Sequence, residues 1–69
     1  LSANLNDAKR IVAGKALDKA YKAYGERNRE IKANTLMSTQ GKKDQRKLND
    51  SKLRQAVEQA RKVLDATED

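Results

Sequence analysis

Six cationic side chains stand within thirteen consecutive residues: Lys42, Lys43, Arg46, Lys47, Lys52 and Arg54. The chemistry open to such a cluster is anion binding. Phosphate is the obvious anion, because lysine and arginine on a polyanion release condensed counterions and gain affinity without reading sequence. On a helix, Lys43, Arg46, Lys47 and Arg54 fall over roughly one side. Asp44 and Asp50 interrupt the cluster. A plainer reading competes with this one: basic side chains on a small helical chain often serve as solvated surface, with their stems covering apolar area. No aromatic residue lies inside the cluster to stack on unpaired bases. The apolar tight turn of a helix–turn–helix reader is missing too.

Other chemistry is narrowly bounded. The chain has no cysteine and no histidine, which removes thiol nucleophiles, zinc–thiolate sites and the side chain that titrates near neutrality. Acid–base work would fall to Asp, Glu, Lys or Tyr, and a chain with so little apolar material cannot bury them enough to tune them. Glu26/Glu30 and Glu68/Asp69 are the nearest carboxylate pairs, and neither makes a metal site. Gly41-Lys42 is followed by Lys43 and not by the Ser or Thr of a phosphate-binding loop. The sequence therefore predicts no enzyme, no metal and no cofactor. Tyr21 and Tyr24, beside Lys22 and Arg27, suit base stacking or a partner surface, but fit better as the wide residues of a small helical core. Asn49-Asp50-Ser51 matches the N-glycosylation triplet, although helix capping accounts better for Asp50 and Ser51.

The elements that must position these groups are helical. The 69 residues include no proline, and Ala, Lys, Arg, Gln and Glu are abundant, all side chains that lose little freedom in a helix. Apolar residues recur at Leu5, Ala8, Val12 and Ala16, and again at Ala13, Leu17, Ala20 and Tyr24, at spacings of three and four. Asn4 is placed to cap this first helix, with Asp7 three residues on. Leu53, Ala56, Val57, Ala60, Val63 and Leu64 share one face of a second helix, capped from Asp50 or Ser51, or earlier from Asp44. Asp18–Lys22, Asp50–Arg54 and Glu58–Lys62 are spaced for favourable i,i+4 pairs. The clearest break is Ser38-Thr39-Gln40-Gly41.

The expected fold is all-α, in one small domain. It is either an antiparallel helical hairpin or, if Gly25 breaks the first helix, a small three-helix bundle. The predicted segments are a helix over about 5–37, kinked or broken at residue 25, a turn over 38–43, a helix over about 44–65 and a frayed tail over 66–69. The predicted packing residues are Leu5, Val12, Leu17, Tyr21, Tyr24, Ile31, Leu53, Val57, Val63 and Leu64. Leu, Ile, Val and Phe amount to only 12 of 69 residues, a poor supply for a core. The pattern therefore predicts completion by self-association or by a partner.

Formal charge is +6 overall. Residues 1–37 carry +4, residues 38–54 another +4 and residues 55–69 carry −2. The functional expectation is a small basic binding protein that docks electrostatically on an anionic partner, nucleic acid or a nucleoprotein assembly above all. The alternative is a helical protein–protein assembly module, a dimerising scaffold or adaptor, with no nucleic-acid role. A membrane-surface helix is weaker, since Trp and Phe are absent. No apolar run is long enough to span a bilayer, and no secretory leader is visible, so the expected setting is soluble and cytoplasmic over secreted. The chain opens on Leu1, as a processed product or a piece of a longer chain does.

Overall fold

A computed structural model describes residues 2–66 of the chain, with side chains described from Leu5 to Ala66. Two helices, α1 (Ser2–Ala33) and α2 (Thr39–Ala66), are joined by a five-residue turn and pack against each other. Gly25 does not break α1. A β-carbon at Gly14 or Gly25 would meet nothing within 4 Å, so both glycines cost helix propensity and nothing else. The three-helix alternative is thereby not realised, and no strand forms among the described residues. Because α1 opens at Ser2, Asn4 lies within the helix; its side chain, Leu1 and residues 67–69 of the expected frayed tail lie outside the described residues.

The turn sits earlier than the sequence pattern predicts. The stretch 38–41 lacks apolar residues and so reads as a break, but it is the start of α2. The Ser38 hydroxyl accepts a hydrogen bond from the Gly41 amide (3.0 Å), and the Ser38 carbonyl accepts from the Lys42 amide (2.9 Å). That is the geometry of an N-cap residue satisfying the free amides of a first turn. Gly41 is thus inside α2 rather than ending α1. A β-carbon there would stand 3.0 Å from Met37 Cγ and 3.1 Å from Ser38 Oγ, so glycine leaves room for the Met37 side chain to lie across the cap. On the other side of the turn, the Asn34 side chain accepts from the Leu36 amide (3.0 Å) and closes an Asx turn. Asp44, Asp50 and Ser51 all fall within α2 and cap nothing.

The seam between the helices is narrow and partly polar. Ala13, Ile31 and Ala60 are its buried apolar residues, and Leu17, Ala20, Tyr24, Leu53, Ala56, Val57 and Leu64 are half-buried. Among the predicted packing residues, Leu5, Val12, Tyr21 and Val63 stay exposed and do not enter the seam. Asn49 does, with only 7% of its surface accessible. Its amide donates to the Tyr24 carbonyl (3.0 Å) and to Asn28 Oδ1 (2.9 Å). Beside it, the Tyr24 hydroxyl donates to Asp50 Oδ1 (2.7 Å), and Arg27 donates to Gln45 Oε1 (3.2 Å). The expected pairing of Asp50 with Arg54 is therefore replaced by a bond across the helices. Asp18–Lys22 and Glu58–Lys62 form no ion pair either; the described pair is Arg27–Glu30, at 3.2 Å on the surface. Asn49 lies buried in mid-helix with its amide committed to α1, which makes the Asn49-Asp50-Ser51 triplet no acceptor for a glycan in this fold.

Two outcomes follow from this seam. Asn49→Ala leaves Asn28 Oδ1 without its donor, and should lower the unfolding free energy by about 1–3 kcal/mol, read from urea denaturation followed by circular dichroism. An unchanged midpoint would contradict the seam as described. Gly25→Ala meets no obstacle and should stabilise α1 by about 0.5–1 kcal/mol, raising Tm by several degrees. Gly41→Ala must displace Met37 and should gain less than Gly25→Ala, or lose stability.

Candidate nucleic-acid interface

The hairpin redistributes the charge read along the sequence. Its contacts pair residues whose numbers sum to about 74: Lys32 with Lys42, Arg27 with Gln45, Tyr24 with Asp50. The molecule therefore divides into a turn half, residues 19–54, and an open half made of the two chain ends. The turn half carries eleven bases against four acids, net +7, and the described part of the open half, residues 5–18 and 55–66, five bases against four acids, net +1. Among the described residues, nearly all of the excess positive charge lies at one end of a rod 54 Å long.

Within the turn half, α2 supplies the densest row. At 100° per residue, Lys43, Lys47 and Arg54 follow one another at spacings of four and seven along one flank, with Arg46 beside them. These four side chains are exposed, and among the described residues none lies within ion-pair distance of an acid. Asp50 occupies the same row, and its carboxylate is turned toward Tyr24. The row rises roughly 16 Å along the helix axis, the axial length of about five base pairs.

The structure separates the other two predicted anion-binding residues from this row. Lys42 is half-buried, and its ammonium donates to the Lys32 carbonyl (3.1 Å). That contact caps the last turn of α1, where a cation also complements the helix dipole. Lys42 is thus part of the turn's construction. Lys52, nine residues after Lys43 in the same helix, falls on the opposite flank of α2 from Arg54.

In exchange, the fold adds residues that the 42–54 segment does not contain. Arg27, Arg29 and Lys32 lie on α1 level with residues 42–47 of α2, fixed there by the Lys32–Lys42 and Arg27–Gln45 contacts. Arg29 is exposed, whereas Arg27 is shared with Glu30 and Gln45. The signal for them was present in the sequence as soon as the turn is centred near residue 36, since an antiparallel hairpin then brings residue 29 beside residue 45.

The remaining chemistry-bearing residues are accounted for by the fold. Tyr24 has its hydroxyl committed to Asp50, while Tyr21 exposes 54% of its surface; the two tyrosines do not act as one platform. Glu30 pairs with Arg27, so Glu26/Glu30 is not a free carboxylate pair. Glu68 and Asp69 lie outside the described residues. Among the described residues, no group of three acidic side chains clusters as a metal site would require. Among them, too, no helix is long and apolar enough to cross a membrane.

Comparison of the chain with protein-family models, with curated proteins and with solved structures returned no match, so the functional reading rests on this geometry alone.

Proposed function

We propose that the protein is a small basic binding protein whose turn half docks electrostatically on nucleic acid, through phosphates and not through base edges. The observation that carries this reading is the polarity of charge along the rod: +7 on the turn half against +1 on the described part of the open half. A solvated surface built only for solubility gains nothing from collecting its cations at one end. A docking end does, because each phosphate neutralised releases counterions. Lys43, Arg46, Lys47 and Arg54 on α2 and Arg29 on α1 are the contacting residues under this proposal. Lys42 has a supporting role as the cap that holds the two helix ends level. The reading assigns the chain binding and assembly, with no catalytic step.

Duplex is favoured over single strands. The basic row has no aromatic within it, and single-strand grooves take much of their affinity from stacking.

Replacing Lys43, Arg46, Lys47 and Arg54 together with glutamine should weaken binding to generic duplex about equally for all sequences. The slope of log affinity against log salt should fall by about 3–4, near 0.9 for each phosphate no longer neutralised. Replacing Lys9, Lys15 and Lys62 in the open half should change that slope much less. Equal effects from the two sets, or duplex affinity unaltered by the first set, would remove the proposal. So would binding to phosphatidylserine vesicles in preference to duplex.

A further inference from the structure

The open half of the hairpin leaves an apolar face uncovered. Between the first half of α1 and the last half of α2 lies a groove of ≈ 630 Å³, with Ala8, Val12, Ala13, Ala60 and Val63 along it. Among the described residues lining it, Lys9 alone is charged. Val12 exposes 67% of its surface, Val63 38%, and Leu5, on the same flank of α1, 59%. Two packed helices make a single layer with two outer faces, and a stable fold covers such a face with a second layer.

The exposed area is that of an unfinished fold. The chain presents 5784 Å² to solvent, whereas a compact monomer of 7.7 kDa presents about 4,300 Å². Its radius of gyration is 16.1 Å, against about 11 Å for a compact chain of this length. The difference in area, about 1,450 Å² per chain, exceeds the roughly 800 Å² each partner buries in a standard interface.

We infer that this groove seats a second copy of the same chain, with two hairpins packing antiparallel over their open halves and their turn halves pointing to opposite poles. Charge selects both the occupant and the direction. The open halves are close to neutral and approach each other without repulsion. A parallel pairing would set one +7 turn half alongside another at a helix spacing of about 8–10 Å, close to the Debye length of about 8 Å at physiological ionic strength, so salt screens the repulsion only in part. Antiparallel pairing about a two-fold axis through the open half avoids this. It also uses the same patch twice, as an isologous interface requires. The two basic ends then stand at the two extremities of a longer rod. This inference does not depend on what the basic ends bind.

Sedimentation equilibrium without nucleic acid tests the occupant, and a spin label tests the direction. The wild-type chain should show a reversible species of twice the 7.7 kDa monomer across a concentration series. Val12→Asp should run as a monomer with unchanged helical circular dichroism, since Val12 contributes little to the seam. Ile11→Asp, also well exposed at 58% but outside the groove, should keep the dimer. If Val12→Asp loses helix, Val63→Asp takes its place. A wild-type monomer at all concentrations overturns the inference. So does a dimer retained by both groove variants, or one lost equally in Ile11→Asp. The chain has no cysteine, so Leu36→Cys, at the fully exposed tip of the turn, takes a single label. The antiparallel dimer gives label separations of at least the 54 Å hairpin length. Separations of roughly 20 Å, two helix spacings, would mean a parallel dimer and overturn the stated direction.

Discussion

Asn49 governs how the two helices meet. A buried amide must be hydrogen-bonded or it costs more than most apolar contacts return. In α2 it finds its partners at one place only, on the Tyr24 carbonyl and Asn28 Oδ1. In this register the Asn49 amide has both of its donors paired, with the Tyr24 carbonyl and Asn28 Oδ1. The surrounding apolar contacts are small, with Ala13, Ile31 and Ala60 the fully buried ones, and alanine surfaces fit many registers almost equally well. The specific alignment therefore comes from the polar residues, as a single buried asparagine sets register in a coiled coil. Tyr24–Asp50, Arg27–Gln45 and Lys42–Lys32 all follow from that alignment.

The same alignment creates the charge distribution. Arg29 and Lys32 stand level with Lys43 and Arg46 because the register places them there, and that turns a basic segment into a basic end. The apolar groove at the other end follows equally directly. Once Ala13 and Ala60 face each other across the seam, Val12 and Val63 are rotated out of it, onto a common flank. One alignment thus divides the molecule into a cationic half and a nearly neutral half that bears an apolar groove.

Helices were plain in the sequence, because spacings of three and four and the absence of proline admit little else. The antiparallel pairing was plain as well. What the pattern misplaced was the turn. Ser38 to Gly41 has the composition of a loop, and only the Ser38 cap shows it to be a first helical turn; the Asn34 and Ser38 side chains were the signal that could have placed it. The seam was half legible. Periodicity identified Leu17, Tyr24, Ile31 and Leu53, but it also favoured Val12 and Val63 over the smaller Ala13 and Ala60, because hydropathy rewards size where close helix approach rewards smallness. Asn49 was hidden for the converse reason: a polar residue next to Leu48 reads as surface, and nothing in one helix reveals the acceptor waiting on the other. The basic row on α2 was legible from spacing, whereas Lys42's part in the turn was not, since a capping contact depends on where the other helix ends.

The directional arrangement of contacts also shapes how the chain acquires its structure. The Lys32–Lys42, Arg27–Gln45, Asn28–Asn49 and Tyr24–Asp50 bonds between the helices lie in the turn half, and the buried apolar residues beyond it, Ala13 and Ala60, are small. Loop-closure entropy grows with separation, by about 0.6 kcal/mol for each doubling. Closing Asn28 on Asn49 spans 21 residues, and reaching Ala13 and Ala60 more than doubles that. The shortest closures thus carry specific polar bonds. Closure entropy therefore favours joining the helices in the turn half before the open half.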